Sequence, residues 1–316
     1  MNPDKRARLR WLMRGMIVAA AAFRALAHAA GAESGTPWWV WPLALFVVCF
    51  LLGMIAVPAG IGGGVLFVPI VSGFFPFHLD FVRGAGLLVA LSGALAAGPG
   101  LLGAGLADLR LGLPLTLVPS AGAIVGAFVG LALPVSAVEI ALGITILFIA
   151  VLMWRSKKSE YPEVAAPDSL GAALRMNGIF HDPASGRDNS WRVHRTPLGL
   201  TLFAGIGVLA GVFGLGAGWA NVPVLNLVMG APLKLSAGTS GFILSIVDSS
   251  AAWVYLNKGA LPAIVAGPSV VGMMLGAFIG GRLLKSLEPA VIRKLVILIL
   301  LLAGVRALTK GMGWWT

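Results

Sequence analysis

Apolar runs of about 20 residues, each free or nearly free of charge, recur along this chain and demand lipid as their surroundings. A hydrocarbon core about 30 Å thick needs roughly 20 apolar residues per helix. Five such segments lie between Trp38 and Trp154, at about 38 to 59, 63 to 77, 81 to 104, 112 to 132 and 136 to 154. Five more follow at about 197 to 214, 217 to 230, 235 to 256, 260 to 281 and 289 to 308. With 58% hydrophobic residues and 11% charged ones, the polar groups are too few to cover a water-soluble domain. The expected fold is an all-α integral membrane protein embedded in a lipid bilayer.

The net charge of +11 raises the question of nucleic acid. Its distribution answers it. The basic residues crowd at Lys5, Arg6, Arg8, Arg10 and Arg14, at Arg155, Lys157 and Lys158, at Arg192 and Arg195, and at Arg282, Lys285, Arg293 and Lys294. These are ends of apolar segments, where cytoplasmic Lys and Arg orient a multi-pass protein in a cell inner membrane. No basic run is interleaved with stacking aromatics, so no nucleic acid is expected as a partner. Trp38, Trp39, Trp41, Trp314 and Trp315 read as interfacial belts. The single cysteine, Cys49, allows no intramolecular disulfide. The scattered histidines His28, His78, His181 and His194 suggest surface groups and no metal site, and no cofactor is expected.

Residues 1–36 carry a basic stretch, a short apolar run and small-residue sequences resembling a cleavage site. A signal peptide and a basic amphipathic helix both remain open. Residues 155–196 form a polar connection rich in Pro, Asp, Ser and Arg, read as a loop outside the bilayer with one short helix near Ser169 to Met176.

A shift of 154 residues superposes Gly53 on Gly207, Gly60 on Gly214, Gly62 on Gly216, Gly64 on Gly218, Gly84 on Gly238, Gly105 on Gly259, Gly122 on Gly276 and Gly126 on Gly280. Eight of eighteen glycines between positions 42 and 146 thus find a partner, where chance gives about three. Pro69 with Pro223 and Pro114 with Pro268 agree. The expectation is a duplication, with residues 37–154 as the first membrane repeat, 197–310 as the second and 311–316 as a tail. Five spans per half would make the repeat inverted. One re-entrant segment per half would reduce the crossings to eight and move the termini to the cytoplasm.

The most specific feature is a pair of glycine clusters, Pro58-Ala-Gly-Ile-Gly-Gly-Gly-Val-Leu-Phe-Val-Pro69 and Gly211-Val-Phe-Gly-Leu-Gly-Ala-Gly-Trp-Ala-Asn-Val-Pro223. Each reads as a helix broken near the bilayer midplane, where irregular backbone is tolerated only against protein or a water-filled cavity. A helix restarting there offers unpaired N–H groups to an anion. The alternative is that the glycines only let helices pack closely, which suits Gly122, Gly126, Gly276 and Gly280.

Those motifs, ending in Val68-Pro69 and Val222-Pro223, together with Lys234-Leu-Ser-Ala-Gly-Thr-Ser240 and a glycine-rich fourth helix in each half, resemble the sulfite exporter TauE/SafE permeases from position 43 to 308. The resemblance implies a secondary transporter, not an enzyme, moving sulfite, an organosulfonate or a related small anion, coupled to an ion gradient. The first half departs from the pattern, with Gly84-Ala-Gly86 where the second has Gly238-Thr-Ser240.

Substrate contacts are expected at Gly60, Gly62, Gly63 and Gly64, at Gly214, Gly216 and Gly218, and at Ser92, Asn221, Thr239, Ser240 and Ser245. Helical spacing places Ser245, Asp248 and Ser249 on one face. Asp248, an ionisable group deep in an apolar segment, is the candidate for proton coupling, with a structural acid bonded to serines as the alternative. For Asn221 the rival role is interhelical hydrogen bonding. Arg83 and Lys234 read as basic side chains snorkelling to headgroups. A membrane enzyme would need an acid, base and nucleophile cluster that the chain lacks beyond Asp248. An anion channel or a non-transporting partner subunit stays open as the alternative function. The expected partners are a small anion, lipid and, if the chain self-associates, copies of itself.

Overall fold

A computed structural model describes residues 37–59, 62–155, 162, 164, 166–182, 187–283 and 289–314. The segment 1–36 lies outside them. The elements are α1 (Val40–Ala59), α2 (Gly64–Phe74), α3 (Leu79–Gly103), α4 (Leu109–Gly112) running through a 3-10 turn (Leu113–Leu115), α5 (Leu117–Ala132) and α6 (Val135–Arg155). After them come α7 (Ser169–Ala173), β1 (Asn177–Asp182), β2 (Arg187–Arg192), α8 (Thr196–Phe213), α9 (Gly218–Pro223) with a π-helical turn (Val224–Val228), α10 (Leu233–Asn257), α11 (Ala263–Leu283) and α12 (Pro289–Gly311).

Every apolar segment of the sequence contains helix, because in lipid only internal hydrogen bonding satisfies the backbone. Among the described residues four helices, Leu79–Gly103, Val135–Arg155, Thr196–Phe213 and Ala263–Gly280, are long and apolar enough to cross a membrane. Leu109–Leu115 and Leu117–Ala132, bent by 41° at their junction, make a fifth span if taken as one. Large apolar side chains such as Leu117, Phe148, Trp253 and Leu302 face outward, where lipid is their natural solvent. By contrast α2, at 11 residues, and α9, at six, are too short to cross. The chain is a multi-pass integral membrane protein.

Helix boundaries recur with the spacing seen in the glycines. Leu79–Gly103 and Leu233–Asn257 are offset by 154 residues at both ends, as are the starts of α2 and α9 and the starts of α6 and α12. Gly105 and Gly259, which follow α3 and α10, both have φ of +68°. The packing is reciprocal: α1 lies along α11, and α8, which sits 154 residues after α1, lies along α5. Glycine makes these approaches possible. A Cβ on Gly53 of α1 would stand 2.7 Å from Ala277 N, and one on Gly122 of α5 would stand 2.7 Å from Ala204 O.

Two of the corresponding pairs, α3 with α10 and α6 with α12, run antiparallel. Gly84 near the start of α3 meets Tyr255 and Ala260 near the end of α10, while Gly238 near the start of α10 meets Leu106 just past the end of α3. Likewise Gly143 of α6 faces Leu308 of α12, and Gly311 faces Ile140.

The connection between the apolar sets is more ordered than a loop. Besides α7 it holds an antiparallel hairpin in which Asn177 pairs with Arg192, and Met176, Phe180 and Trp191 are buried there as part of the protein's hydrophobic core. The hairpin escaped the sequence reading because its six-residue strands are mostly polar and lack a period-two apolar pattern. Asp168 fastens this lobe to α8, accepting hydrogen bonds from Thr196 N at 3.1 Å and Thr196 Oγ1 at 2.7 Å.

Candidate functional site

Both glycine clusters interrupt helix. The first break falls between Ala59 and Gly64, with Gly62 and Gly63 non-helical. Gly60 lies outside the described residues. The second runs from Gly214 to Ala217, where Gly214 (φ +66°) and Gly216 (φ +72°) take left-handed backbone that other residues adopt only at a cost.

The two breaks touch. A Cβ on Gly218 would lie 2.9 Å from Gly62 N, and one on Gly64 would lie 2.6 Å from Leu215 O. Gly86 of α3 packs on Gly214, and Leu244 of α10 presses on both Gly62 and Gly218. The glycines at 62, 64, 86, 214 and 218 therefore bring three chain segments, the two breaks and α3, to backbone contact, an approach larger side chains would prevent.

Asp248 closes this junction from α10. It is fully buried, its carboxylate lies against Gly216 and the Ala217 amide, and neither oxygen completes a hydrogen bond. On α9 the side chain of Asn221, also fully buried, has neither its oxygen nor its nitrogen paired, and Trp219 Nε1 is likewise unpaired. Buried polar atoms without partners are rare in proteins and mark places where a ligand, ion or water belongs.

The remaining expected residues divide. Thr239 is buried, but its Oγ1 accepts from Asp108 N at 3.1 Å, tying the start of α10 to the segment after α3. Ser240 is buried one position on. Ser92 and Ser245 donate to carbonyls of their own helices, Val89 O at 2.8 Å and Phe242 O at 2.7 Å. The shared face drawn for Ser245, Asp248 and Ser249 does not hold, since Ser249 is exposed and bonds to Ser245 O while Asp248 points inward. Neighbouring helical positions diverge by about 100°, and the covered face of α10 takes in Val247 and Asp248 but ends before Ser249.

Arg83 also departs from its reading as a snorkelling side chain. It is 1% exposed, and Nη1 donates to Gly130 O at 3.0 Å and to Val212 O at 2.8 Å while Nη2 pairs with Asp80. Tyr255 OH donates to Gly211 O at 2.9 Å. Together Arg83 and Tyr255 satisfy the last-turn carbonyls that α8 leaves open where it breaks. The signal available in the sequence was Asp80 three residues before Arg83, the spacing of a helical ion pair.

A second clamp holds α2. Lys310 Nζ, 2.9 Å from the buried Glu139, donates to Ser72 O at 2.9 Å, and Arg306 donates to Gly73 O with its guanidinium 4.1 Å over Phe74.

The sequence matches the sulfite exporter TauE/SafE family over residues 44–307. The chain belongs to that family. The family is one of membrane transporters, and two relatives carry corresponding names. One is the "Probable membrane transporter protein YunE" of Bacillus subtilis (strain 168), 22% identical over 84% of this chain and 98% of its own length. The other is the "Probable membrane transporter protein ORF9" of Sinorhizobium sp, 27% identical over 84% of this chain and 91% of its own. No solved structure matches. The TauE/SafE match takes in both glycine breaks and Asp248, and leaves out residues 1–43 and the last turn of α12 with its Lys310.

Proposed function

We propose that this TauE/SafE protein is a secondary transporter that carries sulfite, an organosulfonate or a related small anion across the inner membrane, binding it where the two glycine breaks meet. One observation carries the reading: a buried carboxylate, Asp248, stands unpaired against the break at Gly216 and Ala217. When it holds a proton, Asp248 can sit beside a bound anion and donate to it. When ionised it repels the anion, so proton and anion load and leave together. The unpaired Asn221 and Trp219 supply hydrogen-bond donors on the same short helix.

The architecture we propose for alternating access is an inverted repeat of residues 37–154 and 197–310 joined by 155–196. The recurring helix ends and the antiparallel α3/α10 and α6/α12 pairs support it. The Lys and Arg near 155–195 and 282–294 favour a cytoplasmic location for those segments.

The test is purified protein in liposomes given sulfite, sulfoacetate, thiosulfate or sulfate, with and without a pH gradient. Uptake of at least one anion, driven by the gradient, is the expected result. Flux indifferent to the gradient would instead indicate a channel, and no flux of any anion a non-transporting subunit.

A further inference from the structure

We propose that the open cavity in front of Arg83 is a loading site for an oxyanion of the sulfonate or sulfite type, in which the incoming anion displaces Asp80 from the guanidinium. The proposal rests on the small-anion reading above. The cavity, about 690 Å³, is bounded by His78, Asp80, Phe128, Lys258 and Ala260. Asp80, partly exposed, links the cavity to the buried Arg83 with which it pairs.

The guanidinium is only partly used. Nη1 is committed to Gly130 O and Val212 O, Asp80 occupies Nη2, and Nε is buried with no partner. Nε–H and the outer N–H of Nη2 share one edge of the planar group, the edge that grips two oxygens of an oxyanion at once. Asp80 engages Nη2 alone and leaves Nε unpaired. An anion with two or three equivalent oxygens would take the whole edge and satisfy the orphan Nε.

The surroundings favour a negative guest. Lys258 lines the same cavity with Nζ 5.9 Å from the Phe128 ring centre, and has no carboxylate partner among the described residues. With the Asp80 charge already cancelled by Arg83, Lys258 leaves the cavity one positive charge in excess. The site also communicates with the breaks. Gly214 packs on the Arg83 backbone, and Val212 O, which Arg83 holds, belongs to the last turn of α8 before the second break.

The full-length protein, purified in detergent, is titrated with sulfite and with methanesulfonate, and Kd is read calorimetrically. Asp80→Asn keeps an acceptor for Nη2 but removes the competing charge, so Kd should fall by about tenfold. Lys258→Gln should raise Kd several-fold, and Arg83→Lys, which has no two-donor edge, should raise it further. If Arg83→Lys does not fold, the other two variants decide. Affinity unchanged or weaker in Asp80→Asn, or unchanged in Lys258→Gln, would overturn the loading site. The liposome experiment separates the two ideas: wild-type flux with an unaltered Asp80→Asn titration removes this site and leaves the carrier standing. Absent flux removes the carrier, while the titrations still judge the cavity.

Discussion

Asp248 and Gly216 are in contact inside the protein: a Cβ added to Gly216 would stand 2.9 Å from Asp248 Oδ2. The carboxylate therefore rests directly on left-handed backbone within the helix break, with Ala90 of α3 on the other side at 2.8 Å from the same point.

Replacing Asp248 by Asn keeps the shape and removes the titratable proton. Accumulation of the anion under a pH gradient should drop to the level reached without one, while exchange of anion for anion persists. Because Asn keeps an amide oxygen facing the Ala217 amide, the melting temperature should not fall. Gradient-driven accumulation at the wild-type level would eliminate the residue from coupling.

Gly216→Ala places a methyl group between Ala90 and Asp248 and forces a φ of +72° on a residue that resists it by roughly 1–2 kcal/mol. Transport in liposomes should decline at least about tenfold with membrane insertion intact. Gly62→Leu, driven against Leu244, should behave alike. Normal rates in both would show that the breaks tolerate side chains.

Glycines at helix crossings should fail differently. Gly122→Leu pushes α5 off the Ala204 carbonyl of α8, a mispacking expected to cost about 1–3 kcal/mol and to show as lower thermal stability in detergent. Gly205→Ala, on a face of α8 with nothing within 4 Å, should be neutral or stabilising by about 0.5–1 kcal/mol. Equal stability of the two variants would refute the packing role.

Asp168 offers a control outside the apolar helices. Asp168→Ala strips both acceptors from Thr196 and should loosen the hairpin lobe by about 1.5–3 kcal/mol, visible as faster hydrogen exchange across β1 and β2. Anion flux should stay within about twofold of wild type if the lobe only anchors the start of α8. Unaltered exchange would mean that the carboxylate does not hold the lobe.

The helices were legible because lipid enforces a simple code: a segment without charges must satisfy its own backbone, and α1, α3, α6, α8 and α11 follow with boundaries within a few residues. The breaks at Gly62 and Gly216 were legible for the complementary reason, since clustered glycine weakens helix and its 154-residue recurrence stood out against chance. The direction in which a polar side chain points was another matter. Arg83, Asn221 and Ser249 all sit in mainly apolar helices, yet the first two are buried and the third is exposed. Beyond Asp80 three residues before Arg83, nothing local distinguishes them, because burial is fixed by which neighbouring helix covers a given face.

The sequence by itself determined a membrane-embedded set of helices, two glycine clusters 154 residues apart where they break and an acid at depth, since composition, length and glycine spacing act locally on the chain. Only the tertiary structure decided that the breaks press on each other, that Asp248 rests unpaired on one of them, and that Arg83 and Tyr255 secure the loose end of α8. Those relations join residues tens to more than a hundred positions apart, and they exist only because α3, α8 and α10 pack at distances that glycine, having no side chain, permits.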